Sequence, residues 1–171
     1  GREGKITEPQ VKKCALEHMT LVLQPENIKE QWQDVVSLHP NLIITCAYGQ
    51  ILPRELLVYP EYGCINVHAS LLPKLRGGAP IHHAIMDGYK ETGMTIMYMS
   101  PEMDEGDIIS QKKIAIDDDD TAESLHDKLS IIGRDLLLET IPSIVDKTAT
   151  RIKQNDDEAT YAYNITKEDE R

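Results

Sequence analysis

The chain has 171 residues, 40% of them hydrophobic, and its 29 acidic and 18 basic residues give a formal net charge of −11. This length suits one folded domain, and the negative charge disfavours broad contact with nucleic acid or anionic membranes. No apolar run is long enough to form a transmembrane helix, so no membrane association is expected.

Helices and strands are predicted to alternate along the first part of the chain. Residues 42–47 form an uninterrupted apolar run, which is typical of a strand buried on both faces of a parallel sheet. The predicted elements of this part are helices at 9–18, 26–38 and 54–58 and strands at 21–23 and 42–47. Such an order indicates an α/β fold.

The second part of the chain is predicted to change the direction of the sheet. Its expected elements are strands at 63–68, 95–99 and 108–116 and helices at 80–86 and 121–145. Only a short loop separates the last two strands, so they are expected to pair antiparallel. The sequence therefore predicts a mostly parallel sheet that acquires antiparallel strands late in the chain.

Three polar side chains, Asn66, His68 and Asp104, give the strongest indication of chemistry. Alternate residues of a strand share a face, so Asn66 and His68 are expected to point to the same side. A loop rich in glycine and proline follows His68, as at the carboxyl ends of strands where α/β sheets bind ligands. An acidic loop at 103–107 supplies Asp104 or, on spacing alone, Asp107. An amide donor, an imidazole and a carboxylate can carry an amine through attack on an acyl carbon, so an enzyme is predicted.

The chain contains three cysteines, Cys14, Cys46 and Cys64, which lack the spacing of a metal site. Their odd number and apolar surroundings predict buried, reduced thiols and a cytoplasmic location. Cys64 is expected to share a strand face with Asn66, so a nucleophilic thiol is a less favoured alternative.

Several segments resemble the formyltetrahydrofolate-dependent formyltransferases. The main blocks are residues 65–73, 76–81 and 103–107, and supporting blocks lie at 1–5, 47–53 and 91–97. They occur in the family's order over nearly the whole chain. The resemblance implies a Rossmann-like domain that uses 10-formyltetrahydrofolate as formyl donor without a metal, with Asn66, His68 and Asp104 as the catalytic trio.

The resemblance also implies the partners and their binding residues. Methionine attached to initiator tRNA is the implied acceptor, and the protein is expected to be a monomer. The implied reduced-folate residues are Ser70, Leu71, Leu72, Pro73, Gln50, Ile51, Leu52, Met99 and Pro101. Contact with tRNA is expected from Arg2, Lys5 and Arg76.

The sequence departs from the family pattern at both ends. The family's first strand-helix-strand unit and its basic carboxyl-terminal tRNA-binding domain are not found, so a catalytic-domain fragment is expected. Residues 1–149 are predicted to form the formyltransferase domain, and the polar residues 150–171 a linker with a short strand near 160–163.

Other functions remain open from the sequence. The same trio could transfer formyl to a nucleotide-sugar amine or to glycinamide ribonucleotide, or could hydrolyse the formyl-folate. A fragment that binds RNA or a partner without catalysis is the alternative outside the enzyme class.

Overall fold

The structure is a computed structural model that describes residues 8–168. Its helices are α1 (Gln10–Glu17), α2 (Ile28–Val36), α3 (Arg54–Val58), α4 (Pro80–Met86) and α5 (Ala122–Val145). Its strands are β1 (Ile43–Cys46), β2 (Cys64–His68), β3 (Glu91–Tyr98) and β4 (Ile108–Ala115). A short 3-10 helix spans Asp156–Glu158. The predicted α/β class is confirmed.

The four strands form one mixed sheet in the order β1-β2-β3-β4. β1 pairs parallel with β2, whereas the β2–β3 and β3–β4 pairs are antiparallel. The late antiparallel strands are as predicted, but parallel pairing is confined to one of the three pairs in the described residues. The reason is that the connection formed by residues 69–90 leaves the carboxyl end of β2 and enters β3 at that same end of the strands. β3 therefore runs antiparallel to β2.

The first part of the chain differs from prediction in two places. Leu21 and Leu23 form no strand and are 67% and 43% exposed. β1 lies at the edge of the described sheet, and Ile44 on one of its faces is 40% exposed rather than buried. Period and composition cannot distinguish an edge strand from a central one, because pairing is decided by distant segments.

Helix α5 covers one face of the sheet. Thr121 begins it with a capping box in which its hydroxyl and that of Ser124 each accept a backbone N–H of the other residue. Leu125 and Leu129 pack with Ile65 and Ile96 in the main core and are all almost fully buried. None of the helices described is both long and apolar enough to cross a bilayer.

Two smaller apolar clusters lie apart from this core. Ile28, Leu52, Leu56 and Cys64 form one of them. Leu72, Met97 and Ile108 form the other. Cys64 and Met97 lie on strand positions that alternate with Ile65 and Ile96, so these clusters occupy the sheet face opposite α5.

The chain beyond α5 returns to the sheet and to the loop that follows β2. We refer to residues 152–162 as the strap. Ile152 exchanges two backbone hydrogen bonds with Ile108, and the backbone of Ala162 bonds Arg76 and Ala79. Ala162 is fully buried. A linker was predicted from residue 150, whereas the strap packs on the domain and contributes to its core.

Leu129 provides a test of the α5 packing because it is 1% exposed and lies within the helix, on the side that faces the sheet. We expect Leu129→Ala to lower the free energy of unfolding by about 2 to 5 kcal/mol through lost burial and a cavity. Ile131→Ala, at a position 55% exposed on the same helix, should change it by less than about 0.5 kcal/mol. Chemical denaturation monitored by circular dichroism measures both, and equal losses would contradict this packing.

Candidate active site

The register of the sheet sets Thr45, Asn66 and Met97 side by side across three strands. Paired residues project to the same face, so these three side chains form a row on the face opposite α5. His68 lies two residues along β2 and shares that face. The predicted common face of Asn66 and His68 is therefore present.

Thr45 orients the side-chain amide of Asn66. The Thr45 hydroxyl donates a hydrogen bond to Asn66 Oδ1 at 2.8 Å, and Thr45 as a residue is 8% exposed. With Oδ1 engaged, the amide NH2 of Asn66 is the part left to act as a donor. Sequence analysis missed this role, although a lone hydroxyl in the apolar run of β1 is the signal that could have revealed it.

The imidazole of His68 is buried at 6% exposure, and a backbone group fixes its orientation. Its Nε2 donates to the carbonyl oxygen of Leu75 at 2.9 Å, which assigns a proton to that nitrogen. Nδ1 faces Asp104 Oδ1 at 3.7 Å, a distance longer than a hydrogen bond. The ring is thus held from one side while Nδ1 stays close to a carboxylate.

Asp104 reaches His68 from an unusual backbone conformation. Its φ is +57°, a left-handed value that aspartate tolerates better than most residues. Its Oδ2 accepts the backbone N–H of Gly77 at 2.8 Å, and its side chain is 11% exposed. The loop after β2 therefore holds one carboxylate oxygen while the other faces the imidazole.

Asp107, the alternative carboxylate, is engaged elsewhere. Its Oδ2 accepts a hydrogen bond from Arg151 Nε at 3.2 Å. The guanidinium of Arg151 also lies over the ring of Tyr98, 4.1 Å from its centroid. Of the two candidates, Asp104 is the one that the structure brings to His68.

The residues expected at the reduced folate fall into separate groups. Leu52 is buried, and Met99 packs against the same cluster, with its sulfur 3.2 Å from the Thr45 hydroxyl. The side chain of Gln50 has a structural partner, because its Oε1 accepts a hydrogen bond from the backbone N–H of Ile28 at the start of α2. Ile51 is 59% exposed, and Pro101 is also exposed. Met99 is therefore the member of this set that contacts the Thr45–Asn66 pair, and Leu52 belongs to the cluster against which Met99 packs.

The loop from Ser70 to Pro73 is largely internal. The Ser70 hydroxyl donates to the carbonyl of Lys74 and is fully buried. The Leu72 N–H donates to Thr95 Oγ1, and its side chain is 3% exposed. Leu71 and Pro73 are partly buried. Ser70 and Leu72 thus brace the site from within, and Leu71 and Pro73 are the members of the loop with exposed surface.

The expected tRNA contacts require one correction. Arg2 and Lys5 lie outside the residues that the structure describes. Arg76 is only 2% exposed, and its guanidinium bonds Gln154 Oε1 and Asp156 Oδ1. Burial therefore makes Arg76 an internal residue rather than a surface cation for RNA.

The cysteines also differ in part from expectation. Cys14 and Cys46 are exposed, whereas Cys64 is buried. Burial raises the pKa of the Cys64 thiol to about 11, and its Sγ lies 3.3 Å from the Leu56 carbonyl. A thiol with this pKa stays protonated near neutral pH, which argues against the nucleophilic alternative.

Within residues 8–168, no group of three or more histidine, cysteine, aspartate or glutamate side chains is arranged to hold a metal ion. The polar groups that the structure offers are instead the amide of Asn66 and the imidazole of His68 on one sheet face, with the carboxylate of Asp104 at the imidazole. They comprise a hydrogen-bond donor, a group that can carry a proton and a negative charge.

Comparison with solved structures finds similar folds in enzymes that transfer formyl groups. The phosphoribosylglycinamide formyltransferase from Bacillus halodurans superposes with a TM-score of 0.73 at 27% identity, over 82% of this chain and 78% of that one. A 4-N formyltransferase from Francisella tularensis gives a TM-score of 0.71 at 28% identity, over 85% of this chain and 57% of that one.

Proteins found by sequence comparison have a higher sequence identity to this chain than these solved structures. The methionyl-tRNA formyltransferase of Lysinibacillus sphaericus is 55% identical across 100% of this chain and 55% of its own length. That of Bacillus subtilis is 52% identical across 99% of this chain and 54% of its own length. The chain thus spans about half the length of these relatives. The model of the formyl transferase family matches residues 2–141, and the chain therefore belongs to this family.

Proposed function

We propose that the protein transfers the formyl group of 10-formyltetrahydrofolate to the amino group of methionine on initiator tRNA, in the cytoplasm. The observation that carries the proposal is the approach of Asp104 to His68, at 3.7 Å, beside Asn66 in a chain 55% identical to a methionyl-tRNA formyltransferase. The high identity favours this acceptor over the amines of the sugar and of the phosphoribosylglycinamide on which structural relatives less than one third identical act.

Asn66 is proposed to donate a hydrogen bond to the oxygen of the formyl group. When the amine attacks the formyl carbon, negative charge develops on that oxygen and needs a fixed donor. The Asn66 amide provides its N–H because Thr45 occupies the opposite end of the amide. A donor held in place before the reaction costs little reorganisation when the charge appears.

His68 and Asp104 are proposed to stabilise the charges that develop in the reaction and to assist the proton transfer. His68 Nδ1 lies 3.7 Å from Asp104 Oδ1, and because Nε2 is bonded to the Leu75 carbonyl, Nδ1 is the nitrogen available to donate to the formyl oxygen. The amine must lose one proton, and the leaving nitrogen of the folate must gain one. A water held by the Asp104 carboxylate can relay that proton, so direct transfer needs no covalent enzyme intermediate.

The reduced folate fits beside Leu52 and Met99. Met99 packs against the buried cluster of Leu52, and its sulfur lies 3.2 Å from the Thr45 hydroxyl, so apolar side chains are available for the flat pterin ring near the Thr45–Asn66 pair. Ile51 and Pro101 are exposed near them along the chain and would border the ring. Leu71 and Pro73 would contact the remainder of the folate from the loop after β2.

The tRNA is proposed to be bound mainly by positive charge that this chain does not supply. Its formal charge of −11 disfavours long-range attraction of a polyanion. Arg2 and Lys5 are the proposed local contacts near the acceptor end. Residues 163–168, beyond the strap, are proposed to lead toward a further tRNA-binding domain.

The acceptor is tested by supplying 10-formyltetrahydrofolate with a labelled formyl group to the longest natural form of the protein and, in parallel, to residues 1–171. Methionyl initiator tRNA, a nucleotide amino sugar, glycinamide ribonucleotide and water are offered separately. We expect the label on methionyl-tRNA in the longest form. Label on another acceptor, or on none, would contradict the proposal.

The trio is tested by His68→Ala and Asp104→Asn. Each should lower kcat by about 100-fold or more, because each removes a group that handles charge or protons in the reaction. Binding of reduced folate should stay within about tenfold, since neither side chain lies in the proposed pterin surface. Asp107→Asn is the matched control and should keep nearly full turnover. Unchanged turnover in either trio variant would refute its role.

Thr45 is tested by comparing Thr45→Val with Thr45→Ser. Valine keeps the shape but loses the hydrogen bond to Asn66, worth about 1 kcal/mol, so kcat should fall about fivefold. Serine keeps the hydroxyl and should stay close to the wild-type rate. Steady-state kinetics at saturating folate measures both, and equal rates for the two variants would exclude this orienting role.

A further inference from the structure

The side chain of Gln154 joins the strap to the loop that carries Asp104. It lies 5% exposed near the start of the strap, far from Asp104 in sequence. Its Nε2 donates to the carbonyl oxygens of Asp104 and Gly106, at 2.8 and 2.7 Å. The side-chain amide of Gln154 is therefore hydrogen-bonded to two backbone carbonyls of the Asp104 loop, one on either side of Glu105.

Arg76 fixes the opposite end of the same amide. Its Nε and Nη2 donate to Gln154 Oε1 at 3.1 and 3.0 Å. Both N–H groups and both acceptor positions of the amide are then satisfied. A flipped amide would set NH2 against the guanidinium donors and its oxygen against two carbonyls, so only one orientation is compatible with these neighbours.

These contacts close a ring around Asp104. Arg76 bonds Gln154 through its side chain, while the next residue, Gly77, donates its N–H to Asp104 Oδ2 at 2.8 Å. Gln154 in turn holds the Asp104 carbonyl. The carboxylate is thus held from the loop after β2 and its backbone from the strap, and the buried Arg76–Gln154 pair joins these two points of support.

The Asp104 loop needs such support. Asp104 has a φ of +57°, which is unfavourable for a residue with a side chain, and it persists only where the surroundings hold it. Gly106 packs so closely on the carbonyl of Tyr98 that a Cβ would clash. Relaxation of this conformation would rotate the carboxylate of Asp104 away from His68.

We propose that Gln154, held by Arg76, is a positioning residue that keeps the Asp104 carboxylate directed at His68. This inference rests on the proposed function for its catalytic consequence, whereas its structural part stands on these contacts alone. Gln154 touches neither substrate in this assignment and acts only through Asp104.

Gln154→Glu provides the test, because the carboxylate keeps the shape and the contact with Arg76 but replaces the Nε2 donor with an acceptor. We expect kcat of formyl transfer to fall by a factor on the order of 10 to 100, the usual cost of a small misplacement. The KM for formyl-folate should change by less than about threefold, because the pterin surface is untouched. Asp157→Asn, at an exposed position of the strap, is the control and should match wild type.

Amide hydrogen exchange at Gly77 provides a readout that does not depend on activity. If Gln154 positions the carboxylate, Gln154→Glu should raise the exchange rate of the Gly77 N–H, while amides at the centre of α5 keep their protection. Gln154→Asn, which retracts the amide by one methylene, should do the same. Wild-type protection of Gly77, or unchanged kcat in an otherwise active enzyme, would overturn the proposal.

Failure of the proposed function is separable from failure of this inference. If wild type transfers formyl to none of the acceptors, the proposed function fails and Gly77 exchange alone decides the positioning role. Loss of the cooperative fold in both Gln154 variants would assign Gln154 to stability and overturn the inference.

Discussion

The approach of the Asp104 carboxylate to the His68 imidazole is the contact on which the candidate site depends. Each partner is held by groups that lie outside its own strand or loop. The Leu75 carbonyl fixes the imidazole, the Gly77 N–H fixes one carboxylate oxygen, and Gln154 fixes the backbone beneath it. Because the loop after β2 supplies both the Leu75 and Gly77 groups, its conformation governs both sides of the pair.

The buried guanidinium of Arg76 shows how much of this arrangement is electrostatic. A cation at 2% exposure is costly to desolvate unless its donors are satisfied. Gln154 and Asp156 in the strap provide acceptors, and Glu105 adds a carboxylate at 3.7 Å. The strap is therefore held against the loop after β2 by charge as well as by the burial of Ala162.

The two faces of the sheet have separate tasks. One face packs on α5 through aliphatic side chains and supplies most of the core. The other presents Thr45, Asn66 and His68 between two small apolar clusters. This separation allows polar groups to converge without interrupting the main core. It is consistent with a fold shared by different formyltransferases, since function lies in sites carried by a fold.

Local patterns in the sequence determined the α/β class, the long helix after residue 120 and the common face of Asn66 and His68, because helical period, capping and strand alternation are short-range properties. The family motifs also singled out Asp104. Only the tertiary structure decided which carboxylate meets the imidazole, since Asp104 and Asp107 are equivalent by spacing. It also placed Arg76 inside, joined Thr45 to Asn66 and brought Gln154 to the Asp104 loop. These contacts depend on strand register and on a strap that returns across the domain, and neither is encoded in any short stretch of residues.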